Sequence, residues 1–390
     1  MKRLAICGEI YSANVGDRAI HDSLHYLLKR LDPSIEIIPI DLSGRISSSG
    51  ATERVGLNQR VALLAALPIF YPALMMLNIA SQQVKRLRGQ RSQWRQRLET
   101  ADLLVVGGGQ LLMDDALNFP LKISSLIHVA QSLNLPFSFS ACGVGSNHTW
   151  LGRRLLCDAL VGAQSISLRD HLSQNRLKML CPGLASQVTM DPAIWAGDVY
   201  PFAPAGRNTG CIGLGVINRN EANLHLPREQ RFSKHAWDQL WIDLVGELAA
   251  NNRQVELFTT GSPVDDLFAQ ALFAHAQGRG WAQVSLATRP VNPQQLLTSL
   301  RDYSVVVAAR LHAAILANAI GISTIGLSWD TKVQTYYSES DRPELCFDLN
   351  QLSIQQVSQA VLETRGQPFP REKLEELKQR ALTNAHLILG

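Results

Sequence analysis

Residues 305–332 read VVVAARLHAAILANAIGISTIGLSWDTK, and the fold is decided by this stretch. Val305 to Ala309 are small or β-branched and apolar, the composition of a short buried strand. Arg310, Leu311 and His312 follow without a spacer, and Ala313 to Ala319 is a strong helix-forming run that Gly321 stops at its C′ position. Ser323 to Leu327 is then a second strand, so the stretch is a βαβ unit of a parallel sheet. Its chemistry sits at the turn. Arg310 and His312 open the helix, where free backbone N–H groups and the positive end of the dipole make an anion site, and arginine adds a planar fork suited to carboxylate or phosphate. The alternative is structural, with Arg310 paired to a surface acid and His312 capping the helix. Lys332 lies twenty residues after His312, in the loop that follows the next strand. Ends of consecutive parallel strands lie side by side, which brings Lys332 to the same edge. Alone, a loop lysine is an ordinary solvated charge.

Outward from this unit the same alternation recurs. Strands are expected at Leu4–Gly8, Ile35–Ile40, Leu103–Gly107, Phe137–Ala141, Ser165–Leu168 and Gln187–Met190. A Pro-, Ala- and Gly-rich stretch, Pro201–Gly210, reads as a linker, after which strands resume at Cys211–Ile217, Val255–Thr259, Val284–Leu286, Val305–Ala309 and Ser323–Leu327. The expected architecture is α/β: two Rossmann-like domains, residues 1–200 and 201–390, facing each other across a cleft with ligands near the carboxyl ends of the strands. A length of 390 residues suits two cores. The closing helix, Arg371 to Leu387, spaces Leu374, Leu377, Ala381 and Ala385 along one face.

Other strand ends carry candidate residues. Ser167-Leu168-Arg169-Asp170 repeats the strand-to-helix logic and makes Arg169 a second anion ligand, or else half of a surface Arg169–Asp170 pair at a helix start. Gly107, Gly108 and Gly109 end a strand and allow close backbone approach to a ligand, although a glycine run there also serves plain packing. Gln110 is expected to start a helical segment carrying Asp114 and Asp115. Asn14, Gly16 and Asp17 occupy the first βα loop, where Gly16 and Asp17 also suit a turn and a helix cap. Asp191, before Pro192, ends another strand and reads equally as a catalytic group or as a buried aspartate held by loop amides.

Composition excludes several classes. Apolar residues make up 46% and charged residues 18%, a globular balance, and a net charge of +4 without a basic tract argues against a nucleic-acid partner. The six cysteines show no C-x-x-C pair, so neither a zinc site nor a disulfide framework is expected; they read as small buried hydrophobes in a reducing, cytoplasmic setting. The first βα loop lacks G-x-G-x-x-G, and in Gly143-Val144-Gly145 the third glycine is replaced by His148, which disfavours a nicotinamide dehydrogenase. Residues Val61 to Ala80 carry no charge, but Pro68 and Pro72 would break a spanning helix. With Lys85, Arg86, Arg88, Arg91, Arg95 and Arg97 following, residues 61–97 read as a peripheral contact with the inner face of a membrane, or as an internal packing element or cleft lid.

Taken in order, Asn14-Val15-Gly16-Asp17, Gly107-Gly108-Gly109, Ser167-Leu168-Arg169-Asp170, Asp191-Pro192, Arg310-Leu311-His312 and Lys332 resemble the polysaccharide pyruvyltransferase family, over Met1 to about Tyr337. The resemblance implies a fold similar to the GT-B glycosyltransferases, phosphoenolpyruvate as donor and a sugar hydroxyl pair as acceptor, free or carried on a polyprenyl lipid. It implies that Arg169, Arg310 and Lys332, with Leu311 and His312, hold the donor, that His312 is the acid/base, and that neither a cofactor nor a metal is needed. Asn14, Asp17, the Gly107–Gly109 run, Asp114 and Asp191 would fall on the acceptor side of the cleft. Rival readings are a nucleotide-sugar glycosyltransferase of the same fold and a non-catalytic membrane-associated scaffold. Against the first, no Asp or Glu occurs between Arg310 and Trp329 to hold ribose hydroxyls.

Overall fold

The computed structural model describes residues 2–46, 87–201, 210–224 and 231–390. The chain forms two parallel six-stranded sheets with helices packed around them. The first contains β1 (Arg3–Gly8), β2 (Glu36–Asp41), β3 (Leu103–Gly107), β4 (Phe137–Cys142), β5 (Ile166–Leu168) and β6 (Gln187–Val188), in the order β2-β1-β3-β4-β5-β6. The second contains β7 (Cys211–Gly215), β8 (Val255–Phe258), β9 (Val284–Leu286), β10 (Tyr303–Ala308), β11 (Thr324–Ser328) and β12 (Cys346–Asp348), in the order β12-β11-β10-β7-β8-β9. Every expected strand is present; β12 is an addition. Strands β3, β4 and β10 are buried along their whole length; β3 and β10 read accordingly as nearly continuous apolar runs, whereas β4, Phe137-Ser138-Phe139-Ser140, alternates in sequence and buries its serines as well.

The compact units are Met1–Ser12, Leu28–Val188 and His386–Gly390 on one hand, and Ala13–Leu27 with Thr189–Ala385 on the other. The second unit thus takes in two segments, 13–27 and 189–200, that a division at residue 200 would give to the first. Most of the Pro201–Gly210 linker and all of Val61–Ala80, with Lys85 and Arg86, fall outside the described residues. Residues 87–98 are helical, with Leu87, Trp94 and Leu98 buried at i, i+7 and i+11. Two arginines of this helix are tied to the first unit: Arg91 donates to Ser125 Oγ at 3.0 Å and Arg97 to the Pro39 carbonyl at 2.6 Å. Among the described residues no helix is long and apolar enough to cross a membrane.

Two expectations are corrected. No helix starts at Gln110: residues 110–117 are a loop, because Ala116 and Leu117 take positive φ values of 46° and 65°, and the helix begins at Asn118. The cysteines are not all isolated either. Cys157 and Cys181 form a disulfide with their Cα atoms 5.6 Å apart, joining helix Trp150–Leu160 to the C-cap of helix His171–Leu180; Cys7, Cys142, Cys211 and Cys346 are free.

Candidate active site

A doubly wound sheet opens its loops where the strand order reverses. In the second sheet that point lies between β7 and β10, since the chain runs β7-β8-β9 to one side and β10-β11-β12 to the other. The residues of the opening βαβ unit stand there. Arg310 is the N-cap of helix Leu311–Ala319, with φ −94° and ψ 127°, and makes no side-chain cap. His312 therefore lies in the first turn and does not cap the helix.

The imidazole of His312 is fixed from two sides. Its Nε2 is 3.5 Å from Asp191 Oδ2, and the two side chains are 11% and 2% exposed. Asp191 is itself held, as N-cap of the short 3-10 helix Pro192–Trp195, by the Ala193 amide, which donates to Oδ1 at 3.0 Å. On the other side lies Gly16. A Cβ at this glycine would stand 2.4 Å from His312 Cγ and 2.5 Å from Nδ1, so the ring occupies the space a side chain would need. The Asn14–Asp17 turn is placed in turn by the loop after β8: the Val15 amide donates to the Thr260 carbonyl at 2.9 Å, and Gly261, at φ +98°, leaves room for the Ala13 carbonyl. Asn14 Oδ1 accepts weakly from the Gly16 amide at 3.4 Å. Thus the N-terminal loop, Asp191 and His312 of the sequence reading meet within one unit.

Arg310 does pair with acids, though chiefly with a buried one. Its Nε donates to Asp265 Oδ2 at 2.8 Å and a terminal nitrogen reaches the same oxygen at 2.7 Å; Glu221, 41% exposed, lies 3.3 Å away. Asp265 is fully buried at the start of helix Pro263–Gly278 and accepts from the Asn218 amide at 2.8 Å. Burial pushes its carboxyl above the ordinary aspartate range, and Arg310 recovers only part of that cost. Two of the five guanidinium N–H directions are committed to Asp265, so the fork is aimed and not left to wander. Lys332 lies in the first turn of helix Thr331–Glu339, with Nζ 3.3 Å from Asp330 and 4.5 Å from the centre of the Trp329 ring. Trp329 donates to the Ala309 carbonyl at 2.8 Å, which joins the loop carrying Lys332 to the one carrying Arg310.

Asp265, Glu221, Asn218 and Trp329 were not singled out from sequence. Asp265 had a faint signal, an acid in the first turn of a helix that starts Ser262-Pro263 after a strand. Glu221 had none.

The remaining candidates belong to the first unit. Arg169 is 6% exposed, with Nε 3.1 Å from Asp170 Oδ2 and its guanidinium packed against the backbone of Gly143, so it is a buried pair and not a surface one. Asp170 caps helix His171–Leu180 through the Ser173 amide at 2.6 Å. In the glycine run, a Cβ at Gly107 would stand 2.3 Å from the Ser140 carbonyl oxygen, and Gly108 and Gly109 have φ of 81° and 75°. Asp114 accepts from the Thr149 amide and hydroxyl at 2.8 and 2.5 Å and from the Leu117 amide at 2.7 Å. Burial works against its charge, but these bonds, Thr149 first, hold its carboxyl below the ordinary range. Both features tie the loop to neighbouring elements, the glycine run to β4 and Asp114 to the start of helix Trp150–Leu160. No cluster of three or more potential metal-ligating side chains exists among the described residues.

A family model described as polysaccharide pyruvyl transferase matches residues 14–331. No curated protein matches the chain. Among solved structures the chain is similar to UDP-GlcNAc 2-epimerase from Neisseria meningitidis bound to UDP-GlcNAc, at 13% identity and TM-score 0.53, covering 100% of this chain and 98% of that one. It is similar also to the S. aureus MnaA–UDP co-structure, at 12% identity and TM-score 0.54 over 98% and 91% of the two chains. The UDP-GlcNAc 2-epimerase from Methanocaldococcus jannaschii gives 13% and 0.53 over 98% and 99%. These likenesses show the fold, which is GT-B-like.

Proposed function

The chain belongs to the polysaccharide pyruvyl transferase family, and we propose that it transfers the enolpyruvyl unit of phosphoenolpyruvate to two hydroxyls of a sugar in a surface polysaccharide or its lipid-linked precursor, closing a ketal and releasing phosphate. The observation that carries this reading is the imidazole of His312, held between Gly16 and Asp191 beside Arg310 and Lys332 at the switch point of the second sheet.

The chemistry asks for these parts. Phosphoenolpyruvate is an enol phosphate with a carboxylate, so its binding needs cations, and Arg310 and Lys332 supply two of them on adjoining loops. Asp265 acts through Arg310, fixing the direction of the fork so that its remaining N–H groups meet the donor. His312 gives a proton to C3 of the enol, the double-bond electrons forming the new C–H bond and leaving C2 electron-poor. One acceptor hydroxyl adds to C2 and loses its proton, which returns to the imidazole. The C2–O bond to phosphate then breaks with its electron pair going to phosphate, and the second hydroxyl adds to C2, its proton leaving with the phosphate. Asp191 keeps the ring in one orientation through this traffic. Asn14 and Asp17, on the same turn as Gly16, are the proposed partners of the acceptor hydroxyls.

Phosphate release from phosphoenolpyruvate in the presence of sugar acceptors tests the reading, together with saturation-transfer NMR comparing phosphoenolpyruvate with UDP-sugars. Binding of a UDP-sugar and not of phosphoenolpyruvate would replace pyruvyl transfer by glycosyl transfer on the same fold. Binding of neither, with no phosphate released, would favour the scaffold reading.

A further inference from the structure

Two of the eight large hydrophobic side chains most exposed among the described residues, Trp150 at 74% and Val161 at 58%, line one groove. Scattered apolar residues need no explanation, but a contiguous group does. Helix Trp150–Leu160 turns one face outward, with Trp150, Arg153, Arg154, Cys157 and Val161 at i, i+3, i+4, i+7 and i+11, and that face is one wall of a groove of about 560 Å³. Leu180, Pro182 and Leu184 make the facing wall, and the Cys157–Cys181 bond crosses the floor.

The groove is graded along its length. Its helix-start end carries an indole and two exposed guanidinium groups; its far end carries Val161. Arg154 stacks on Trp150, 5.9 Å from the ring centre, and the carboxylate of Asp158 is 3.8 Å away with both side chains about two-thirds exposed, a contact that water and salt largely screen. Arg153 has no carboxylate partner among the described residues. An apolar trough with two cations at one end is complementary to a molecule with a hydrocarbon chain and an anionic head. The volume lies within the usual range for a small-molecule pocket.

We propose that this groove binds a single long-chain phosphate amphiphile, with the phosphate on Arg153 and Arg154 and the chain lying along Val161, Leu180 and Leu184. None of the residues given to pyruvyl transfer takes part. That such an amphiphile carries the acceptor sugar rests on the proposed function; that it binds does not.

The test is a calorimetric titration of the full chain with farnesyl phosphate below its aggregation limit, in parallel with farnesol, inorganic phosphate and phosphatidylglycerol vesicles. No phosphoenolpyruvate is needed, so failure here and failure of the transfer reading are distinguishable. Farnesyl phosphate should bind with one-to-one stoichiometry, at least tenfold tighter than farnesol or phosphate. The R153Q/R154Q double variant, altered only at exposed positions, should weaken it at least tenfold and erase its dependence on salt. A second variant, Val161→Asp, should weaken farnesyl phosphate without creating phosphate binding; should it fail to fold, the double variant decides alone. Farnesol binding as tightly as farnesyl phosphate would leave an unspecific apolar trough, phosphate binding as tightly would leave a simple anion site, and binding heat with the vesicles without one-to-one binding of farnesyl phosphate would make the face a bilayer contact. Each of these overturns the proposal, as does an unchanged double variant.

Discussion

After β3 the chain turns through Gly107, Gly108 and Gly109; after β10 it turns through Arg310, Leu311 and His312. Both turns leave the carboxyl end of an interior strand of a six-stranded parallel sheet. The first is spent on backbone. Gly107 yields its side-chain volume to the Ser140 carbonyl, the Gly108 amide donates to that carbonyl at 2.9 Å, and Asp114 beyond the run ties the loop to Thr149. The second turn is spent on side chains, with His312 against Asp191 and Gly16, and Arg310 on Asp265 and Glu221. A strand end thus has one resource, the space outside the last peptide, and either a neighbouring loop or a functional group fills it.

The largest effect expected from breaking this contrast is at His312. His312→Ala should lower kcat about a hundredfold or more while the KM for phosphoenolpyruvate changes little, as for loss of a general acid/base. Steady-state phosphate release measures both. A rise in KM matched by an equal fall in kcat/KM, with kcat kept, would make the ring a donor ligand and put the acid elsewhere. Next is Arg310→Lys. An ammonium cannot bond Asp265 and a donor anion at once in the geometry of a fork, so a loss of about tenfold or more in kcat/KM is expected. Unchanged kinetics would remove residue 310 from the donor and reduce it to a partner of Asp265.

The two turns also differed in how far they were legible. Arg310, Leu311, His312 and the strand before them are contiguous, so local pattern alone placed them on one turn, and parallel pairing of β10 with β11 brought Lys332 alongside. Asp265 and Glu221 precede Arg310 by 45 and 89 residues, and nothing in their own neighbourhoods announces an arginine. Cys157 and Cys181 are 24 residues apart, a spacing that carries no signature without the helix packing that joins them. Strand β12 has only three residues, Cys346-Phe347-Asp348, too few to show a period. The helix expected from Gln110 failed because Asp114 bonds the Leu117 amide and bends the chain back, a local competition between side chain and helix that composition does not reveal.

Two matched glycine substitutions sharpen the comparison. Gly16→Ala places a methyl group 2.4 Å from His312 Cγ, where a ring can shift; Gly107→Ala places one 2.3 Å from a backbone oxygen, where little can. The first should cost about tenfold in kcat with modest loss of stability. The second should cost about 1–3 kcal/mol of stability, the usual scale for overpacking, with activity per folded molecule retained. Urea unfolding and active-site-normalised rates separate the two. Should Gly107→Ala lose activity at full stability, the glycine run belongs to the site after all.

The smallest effect concerns the segment that places Gly16. Helix Val15–Leu31 is tied within the second unit by Tyr200, whose hydroxyl donates to Asp22 at 2.5 Å, while His21 lies 3.0 Å from the same carboxyl and Arg18 3.3 Å. Burial alone would raise the Asp22 carboxyl; the bonds from His21 and Tyr200 and the charge of Arg18 together outweigh it and hold the group below its ordinary value. A carboxyl depressed on folding contributes stability that is complete above the unfolded value of about 3.9 and is lost as pH falls through the lower folded value. Tyr200→Phe removes one donor to the ionised form and should cost about 1 kcal/mol at pH 7, the usual net worth of a hydrogen bond. The gap between variant and wild type should close as the pH is lowered past the aspartate range, because the protonated carboxyl gains little from a phenolic donor. Urea midpoints of the two proteins across that range measure the gap. A gap that stays constant would mean that Tyr200 holds the helix by packing alone, and that the depressed carboxyl is the work of His21 and Arg18.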